Sequence, residues 1–485
     1  MPSLTELPPE VIDLICQWTD GADLLALRLV CRDLAAKAFS RFTARFFTEV
    51  QIFITKDDLQ WLRNVSQHAV FRHSVRKLWV RPCLFENWQE LTYEEYEDYR
   101  DDDADLPVEQ AYRIYRDSVE SYLALVTTEK LHDALHESVA NMPNLRHVHI
   151  YQSRGSSGLF EDTTIHKRLV WEKLCRNTGM DPVRRYQTPY GLQTEPNSRA
   201  FVFMALLKAL AVTKSAGIDD HEYCIDTLDV CCLDSGYGVS VGIEYLPISG
   251  ADWSAWGPAF QHLRCRHLNL ALRSVAGRLP GPPRSLPDTD TPFMHALAET
   301  TPHLKTLALG YKNWTPAGFV SLSKSVRFTC LQSLALGDVY TTSDTLIQFL
   351  RTAAPTLRRL RLQKVNLVII SQNPSVRRIN TPSEEIKEAW YQLWHFIKTS
   401  MEDLQYILFH IPILRGRLRL KNPLRGQVGN DPYLPDRASH CYDRDVANIG
   451  LPEWIDQLGF EEDEDCLSDS VGFLSEADSH LEWES

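Results

Sequence analysis

Apolar residues recur with helical spacing at the start of the chain. Val11, Leu14, Ile15 and Trp18 follow the i, i+3, i+4, i+7 pattern of one helix face. The preceding Leu-Pro-Pro-Glu segment, 7–10, favours a helix start, because proline is tolerated in the first turn of a helix. The beginning of the chain therefore predicts an amphipathic helix.

Two more short helices are predicted before residue 40. Residues 19–21 break the first helix, Asp23 is a candidate cap for a helix through 24–30, and a third helix spans about 31–39 with Leu34 on its buried side. Three short helices enclose only a small core, so the apolar residues on both faces of the first two cannot all point inward. This surplus predicts an apolar surface that a partner covers.

A second pattern, LxxLxL, recurs through the body of the chain. Three copies begin at Leu304, Leu331 and Leu357, 27 and then 26 residues apart, within the roughly 20–29 residues of leucine-rich repeats. Helix-like stretches at 319–325 and 345–350 separate them. Weaker copies, irregularly spaced, begin at Val75, Leu145, Ile225, Cys265 and Leu404. The pattern predicts an irregular leucine-rich-repeat-like solenoid of the α/β class, and an irregular mixed domain is the alternative.

The N-terminal pattern resembles the F-box motif in order and spacing. The residues that carry the resemblance are Leu7-Pro8-x-Glu10-Val11-Ile12-x-x-Ile15-x-x-Trp18, then Asp23-Leu24 and Val30-Cys31-Arg32. Trp18 departs from the leucine that the family usually has, and the alternative is an unrelated helical start. The resemblance implies a three-helix F-box whose surplus apolar surface packs on a Skp-type adaptor. The implied contacts are Leu7, Pro8, Val11, Ile12, Ile15, Leu24, Val30, Cys31 and Arg32.

The segment after this motif is similar to that of F-box proteins of filamentous fungi. Residues 50–54 alternate like a strand, Asp57 is a candidate cap for the next helix, and 73–80 predict a second strand. The family resemblance covers residues 1 to about 82.

These patterns divide the chain into five segments. They are an F-box at 1–47, a strand-helix-strand segment at 48–90, an acidic insertion with a helix at 91–130, a repeat-like substrate domain at 131–425, and a tail at 426–485 that is acidic and predicted to be disordered after 460. Within the tail, 451–459 has helical spacing and is expected to pack on the last repeat.

The residues between the leucines of each LxxLxL copy are predicted to line the concave face of the solenoid. The predicted substrate contacts on that face are Arg359, Arg361, Gln363, Tyr406, His410, His147, His149 and Tyr151. Two neighbouring arginines favour an anionic group between them, so we expect an acidic or phosphorylated substrate segment near Arg359 and Arg361. The alternative is that the acidic tail after Glu461 covers this patch.

Composition changes this picture little. The net charge is −13, but residues 461–485 carry ten acidic side chains and no Lys or Arg, which leaves −3 for the other 460 residues. The body is nearly neutral, so no nucleic-acid partner is expected.

The longest apolar run, 201–212, is too short for a membrane helix, and no secretory signal is recognised at the N-terminus. The 11 cysteines form no CxxC pair, which favours reduced thiols in a cytoplasmic or nuclear protein.

No catalytic constellation is recognised. His132 and His136 have the i, i+4 spacing of a zinc motif, but Asp133 replaces the Glu that would act as general base, so a solvent-facing helix is expected and no metal or cofactor is predicted. The basic run 415–425 lacks aromatic residues for stacking on bases, and is expected to be a charged surface or the partner of an acidic segment.

The resemblance to F-box proteins, with no catalytic constellation recognised beside it, thus implies a non-catalytic adaptor of an SCF-type ubiquitin ligase. The F-box would bind a Skp-type adaptor and, through it, a cullin scaffold, while the repeats hold an unknown protein substrate near the ubiquitin carrier. One alternative is a Skp-binding interaction protein outside any ligase. A more distant one is a hydrolase built on His132 and His136.

Overall fold

The computed structural model describes most of the chain in separate stretches. They are residues 4–81, 91–100, 105–126, 129–150, 173–180, 198–215, 225–230, 241–242, 265–273, 297–312, 316–337, 339–363, 365–367, 383–410, 418–421, 439–443 and 450–462. Two units divide the chain, Met1–Leu270 and Ala271–Ser485, and the boundary falls within one strand.

Four consecutive helices form the N-terminal segment. They are α1 (Pro9–Trp18), α2 (Gly21–Val30), α3 (Arg32–Lys37) and α4 (Phe39–Phe47). The sequence predicted only three helices here; α4 is the addition, and it buries Phe42 and Phe46, four residues apart. The predicted cap Asp23 is wrong, because α2 begins at Gly21 and its cap is Asp20, whose Oδ1 accepts a hydrogen bond from the Asp23 backbone N–H at 2.7 Å.

The rest of the first unit alternates strands and helices. Its elements are β1 (Glu49–Phe53), α5 (Lys56–Gln67), α6 (Phe71–Ser74), β2 (Lys77–Arg81), α7 (Tyr93–Tyr99), α8 (Val108–Val126), α9 (Lys130–Ala140), β3 (His147–Ile150), α10 (Ser198–Ser215), β4 (Thr227–Asp229), β5 (Val241–Gly242) and β6 (His267–Arg273). Thr55, not the predicted Asp57, caps α5 and accepts from the Asp58 backbone N–H at 3.1 Å.

The strands of the first unit pair in parallel and in sequence order, β1-β2-β3-β4-β6. One residue from each strand forms a continuous buried row across them: Val50, Leu78, Val148, Leu228 and Leu268. Because side chains alternate between the two faces of a strand, this row fixes which residues line the opposite face.

The second unit repeats the same arrangement. Its elements are β7 (Thr306–Lys312), α11 (Pro316–Ser325), β8 (Ser333–Gly337), β9 (Tyr340–Thr341), α12 (Ser343–Ala353), β10 (Arg359–Gln363), β11 (Asn366–Leu367), α13 (Ser383–Ser400), β12 (Tyr406–His410), β13 (Leu418–Lys421), β14 (Ser439–Asp443), α14 (Leu451–Asp456) and β15 (Gly459–Glu462). Strands β7, β8, β10 and β12 pair in parallel, and Leu307, Leu334, Leu360 and Ile407 form their buried row.

The C-terminal end of the second unit departs from this pattern. Strand β14 pairs antiparallel with β12, and β15 pairs antiparallel with β13. Trp454 of α14 is buried and stacks on Phe409 at 6.1 Å between ring centroids, while Lys398 and Asp456 pair at 2.5 Å. The prediction that 451–459 is helical and packs on the last LxxLxL strand is confirmed for Leu451–Asp456.

The predicted α/β class is confirmed as a mixed α/β fold with parallel strands. Every LxxLxL copy contains one of these strands, and α11 and α12 lie where helices were expected. Within the part of the chain described here, no helix is both long and apolar enough to span a membrane.

Candidate functional site

A set of large apolar side chains is exposed on the first two helices of the N-terminal segment. We call it the N-terminal apolar surface, and its members are Val11, Leu14, Ile15 and Trp18 of α1 with Leu29 and Val30 of α2. Trp18 and Leu29 are each 86% exposed, and Val30 is 68% exposed. Single exposed apolar residues are common, but six on two consecutive short helices make these helices a candidate interaction surface.

The surface exists because the core of these helices is already full. Cys16 of α1 and Leu34 of α3 pack with Phe42 and Phe46 of α4, and the two phenylalanine rings lie 5.1 Å apart. Arg28 places its guanidinium carbon 3.5 Å from the centroid of the Phe42 ring, and burial lowers the pKa of this arginine. Leu25 and Leu27 of α2 also pack against this core, whereas the six residues of the N-terminal apolar surface remain exposed.

Polar contacts hold α1 and α4 together beneath this surface. Arg41 Nε pairs with Asp13 at 2.9 Å, and Arg45 donates to the Thr19 carbonyl at 2.8 Å. The second contact fixes the C-terminal end of α1, where Trp18 lies. These two contacts therefore fix α1, which carries four residues of the surface, to α4.

The predicted adaptor contacts divide into two groups. Pro8, Val11, Ile15, Val30 and Arg32 are exposed, and Leu7 and Cys31 are half-buried. The other two require a correction: Ile12 and Leu24 are fully buried in the core of the helices, because they lie on the inner side of α1 and α2. They support the surface and do not form it.

Sequence reasoning left Leu14, Trp18 and Leu29 out of the contact set, although they are among the most exposed large apolar residues that the structure describes. The pattern of α1 alone gave no signal for them. In the structure Ile12 and Cys16, four residues apart, are buried and define the inner face of α1, which places Leu14 and Trp18 on the outer face.

The first unit carries a second candidate surface, on the strand face opposite its buried row. The Trp79 indole and the His149 imidazole stack at 4.0 Å between centroids, and His149 Nδ1 lies 3.3 Å from Asp229 Oδ2. These three residues share one register row of β2, β3 and β4. The predicted outward position of His149 is confirmed, with most of its ring covered by these neighbours.

His147 occupies the adjacent row of the same face. Its Nδ1 lies 3.0 Å from the Thr227 hydroxyl, and its pKa is lowered, with burial as the largest cause. The ring is therefore biased toward the neutral form and contributes hydrogen bonds instead of positive charge. Tyr151, predicted beside it, lies outside the described residues.

The corresponding face of the second unit carries the predicted arginines. Arg359 is exposed, Arg361 and Gln363 are half-buried, and Leu360 and Leu362 between them are fully buried, as the alternation predicted. The guanidinium of Arg361 meets the carboxamide oxygen of Gln363 at 3.1 and 3.2 Å, in the amide orientation that satisfies both groups. Arg361 is thus held by its neighbour on the same strand.

Tyr406 and His410 of β12 are in register with the ends of β10. Tyr406 pairs with Arg359 and is half-buried, and the backbone of His410 pairs with Gln363. The side chain of His410 lies outside what the structure describes. The prediction that the two strands bring these residues together is confirmed at the level of the backbone register.

The rejected zinc motif lies on α9. His132 Nδ1 contacts Asp133 at 3.0 Å, and the two histidine rings lie 5.9 Å apart. The expected solvent-facing position is wrong, since both rings are partly buried and burial is the largest cause that lowers the pKa of His132. A search of the described residues finds no group of three or more metal-ligating side chains.

The basic run 415–425 is described only at 418–421, and there its backbone pairs with an acidic segment. Strand β13 carries Arg419 and Lys421, and Arg419 is in backbone register with Glu461 of β15. This fits the expectation that the run partners an acidic segment. Arg415, Arg417 and Arg425 lie outside the described residues, as does the tail from 463 onward.

Comparison with known proteins gives no family assignment. No protein-family model matches the chain, and no curated protein matches it. The surfaces described above therefore carry the functional argument on their own.

Proposed function

We propose that this chain is a non-catalytic substrate-recognition adaptor of an SCF-type ubiquitin ligase. In this proposal residues 1–47 act as an F-box that docks on a Skp-type adaptor, and the parallel strands belong to an irregular leucine-rich-repeat-like domain that holds the substrate. The observation that carries the proposal is the N-terminal apolar surface, on the segment whose sequence resembles the F-box.

The chemistry of this surface supports a protein partner. Trp18, Leu29 and Val30 expose flat and branched apolar groups, and covering such groups is the main favourable term in protein association. Trp is enriched among the few interface residues that contribute most of the binding energy. Arg32, exposed directly after Val30 and Cys31, adds a charged rim.

The remaining strands support the second half of the proposal. The polar face around Trp79 and His149 in the first unit, and the face around Arg359 and Arg361 in the second, each offer hydrogen-bonding groups to a ligand. A scaffold that binds a substrate at one place and a ligase subunit at another accelerates ubiquitin transfer by proximity, so it needs no catalytic residues of its own.

Co-expression with a Skp-type adaptor tests the proposal. Wild-type chain should gain soluble yield and co-purify with the adaptor, because the partner covers the apolar surface. The double variant Trp18→Lys with Val30→Lys should lose co-purification, and so should Leu7→Ala with Pro8→Ala. All four positions are exposed or half-buried, so the fold should tolerate these changes.

Val70→Lys is the matched control. Val70 is 44% exposed but lies outside the N-terminal apolar surface, before α6. This variant should co-purify like the wild type. Normal co-purification of the Trp18/Val30 variant would show that the apolar surface is not the docking site.

A further inference from the structure

One half-buried basic side chain of the N-terminal helices has no oxygen partner. The half-buried basic residues of α3 and α4, Lys37, Arg41 and Arg45, each reach a carboxylate or a backbone carbonyl oxygen. Arg28 of α2 is half-buried as well, but it contacts neither kind of oxygen among the described residues. Because a charged group that leaves water normally gains such a partner, Arg28 is an exception that needs a cause.

Aromatic rings are the only partners of the Arg28 guanidinium among the described residues. Its central carbon lies 3.5 Å from the centroid of the Phe42 ring and 5.6 Å from that of the Phe39 ring. These rings attract the cation but offer no oxygen to its N–H groups. The Nε–H group is buried and has no acceptor, so it has lost hydrogen bonds to water without gaining another. The side chain is therefore held in place at an energetic cost to the free chain.

The two terminal Nη groups are the part of Arg28 that a ligand can reach. Nε is the one nitrogen of this side chain that is buried without a partner, and the side chain as a whole is half-buried, so the Nη groups reach the surface. Two Nη groups side by side present N–H donors in a fork that matches the two oxygens of a carboxylate. Because the rings hold this fork in place beforehand, a ligand would lose little ordering entropy on binding to it.

Arg28 stands directly before two members of the N-terminal apolar surface. Leu29 and Val30 follow it in α2, and consecutive Cα atoms are about 3.8 Å apart. A protein that covers Leu29 therefore comes within reach of the Arg28 fork. A charge beside an apolar surface determines which partners fit, because a matched opposite charge is favourable and an unmatched one that loses water is costly.

We infer that Arg28 binds a carboxylate of the protein that docks on the N-terminal apolar surface, and so selects a partner with an acidic side chain at that place. This assignment rests on the proposed function, in which the partner is a Skp-type adaptor. It adds a charged contact that the sequence resemblance did not include. In this arrangement the apolar surface supplies most of the affinity, and Arg28 supplies specificity.

Biolayer interferometry of the purified full-length chain with a Skp-type adaptor tests the inference. Arg28→Met removes the charge and keeps an apolar stem that packs on Phe42. Its affinity should be lower than that of the wild type by on the order of tenfold or more, because a charge-assisted pair is lost. Arg28→Lys keeps the charge but not the fork, so it should show an intermediate loss. Equal affinity of Arg28→Met and the wild type would overturn the inference.

Two controls separate docking from folding. Arg76→Met makes the same change at an exposed arginine outside the N-terminal helices, and it should bind like the wild type; an equal loss there would overturn the assignment to Arg28. Hydrogen-deuterium exchange of peptides from α1 to α4 reports stability. Arg45→Met should speed exchange because it removes the hydrogen bond to the Thr19 carbonyl, whereas Arg28→Met removes no hydrogen bond and should not. Exchange as fast in Arg28→Met as in Arg45→Met would indicate a structural role and overturn the inference.

A charge exchange identifies the anion. Arg28→Glu should bind the adaptor more weakly than Arg28→Met, because it places two carboxylates against each other. Among adaptor variants with single surface carboxylates changed to Lys, one should bind Arg28→Glu better than the original adaptor does. If no such variant restores binding, the carboxylate assignment is wrong. A wild-type chain that binds no Skp-type adaptor would overturn the proposed function, and that result is distinct from a wild type that binds while the Arg28 variants bind equally well.

Discussion

Two leucines on the same helix give a sharp test of which residues hold the N-terminal helices together and which face a partner. Leu24 and Leu29 both belong to α2, but Leu24 is fully buried in the core and Leu29 is 86% exposed. Leu24→Ala removes buried methyl groups and leaves a cavity, which costs about 2–5 kcal/mol. Leu29→Ala removes groups that are already in water, so it should change stability by less than about 0.5 kcal/mol.

The effects on adaptor binding should be reversed. If Leu29 is covered by the partner, truncation loses about 0.8 kcal/mol for each of three buried carbon groups, or about 2.4 kcal/mol, which is about sixtyfold in Kd. Hydrogen-deuterium exchange of peptides from α1 to α3 reports stability, and biolayer interferometry with a Skp-type adaptor reports binding. Leu24→Ala should speed exchange, and Leu29→Ala should weaken binding while exchange stays unchanged. Faster exchange in Leu29→Ala, or unchanged binding, would refute this division of roles.

Three other predictions concern the rest of the chain. Burial raises the pKa of Tyr96 to about 12, and its hydroxyl donates to the Thr178 carbonyl. Because an unfolded tyrosine ionises near 10, the free energy of unfolding should fall by on the order of 2–3 kcal/mol between about pH 10 and 12. Urea titrations of Tyr96→Phe should lack this fall. Burial lowers the pKa of His132 and His147, so as pH falls below about 6.5 the unfolded chain binds protons before the folded chain does, and the folded state loses stability. The melting temperature should therefore drop less from about pH 7 to 5 in the His132→Gln/His147→Gln variant than in the wild type. Trp454→Ala should destabilise the second unit by about 3–5 kcal/mol in urea unfolding, because the ring is buried against Phe409 and Tyr442, and a cost below about 1 kcal/mol would contradict that packing.

The strands were predictable from sequence because their signal is local and repeated. Leu360 and Leu362 alternate with Arg359 and Arg361, and a period of two fixes the face of each residue whatever lies around the strand. The irregular spacing of the weaker copies did not matter, since the alternation of apolar and polar residues within each strand fixes its buried face. Parallel pairing in sequence order then placed Tyr406 beside Arg359.

The residues of the N-terminal apolar surface were less predictable because the first two helices have apolar residues on both faces. With Ile12, Leu14 and Ile15 all apolar, the pattern of α1 alone does not say which side is inner. The choice is made by α4, whose Phe42 and Phe46 fill the space beneath α1, and this helix was not predicted. The predicted cap of α2 was wrong for a similar reason. Asp20 and Asp23 both suit a helix start, and the observed start at Gly21 makes Asp20 the cap.

Assembly with purified ligase subunits tests the central claim most directly. Wild-type chain, a Skp-type adaptor and a cullin scaffold are mixed and separated by size-exclusion chromatography. The account predicts one peak that contains all three proteins, and the Trp18→Lys/Val30→Lys variant should elute apart from the other two. A wild-type chain that elutes apart from the adaptor would contradict the account, and a complex with the adaptor that excludes the cullin would contradict a role in a ubiquitin ligase.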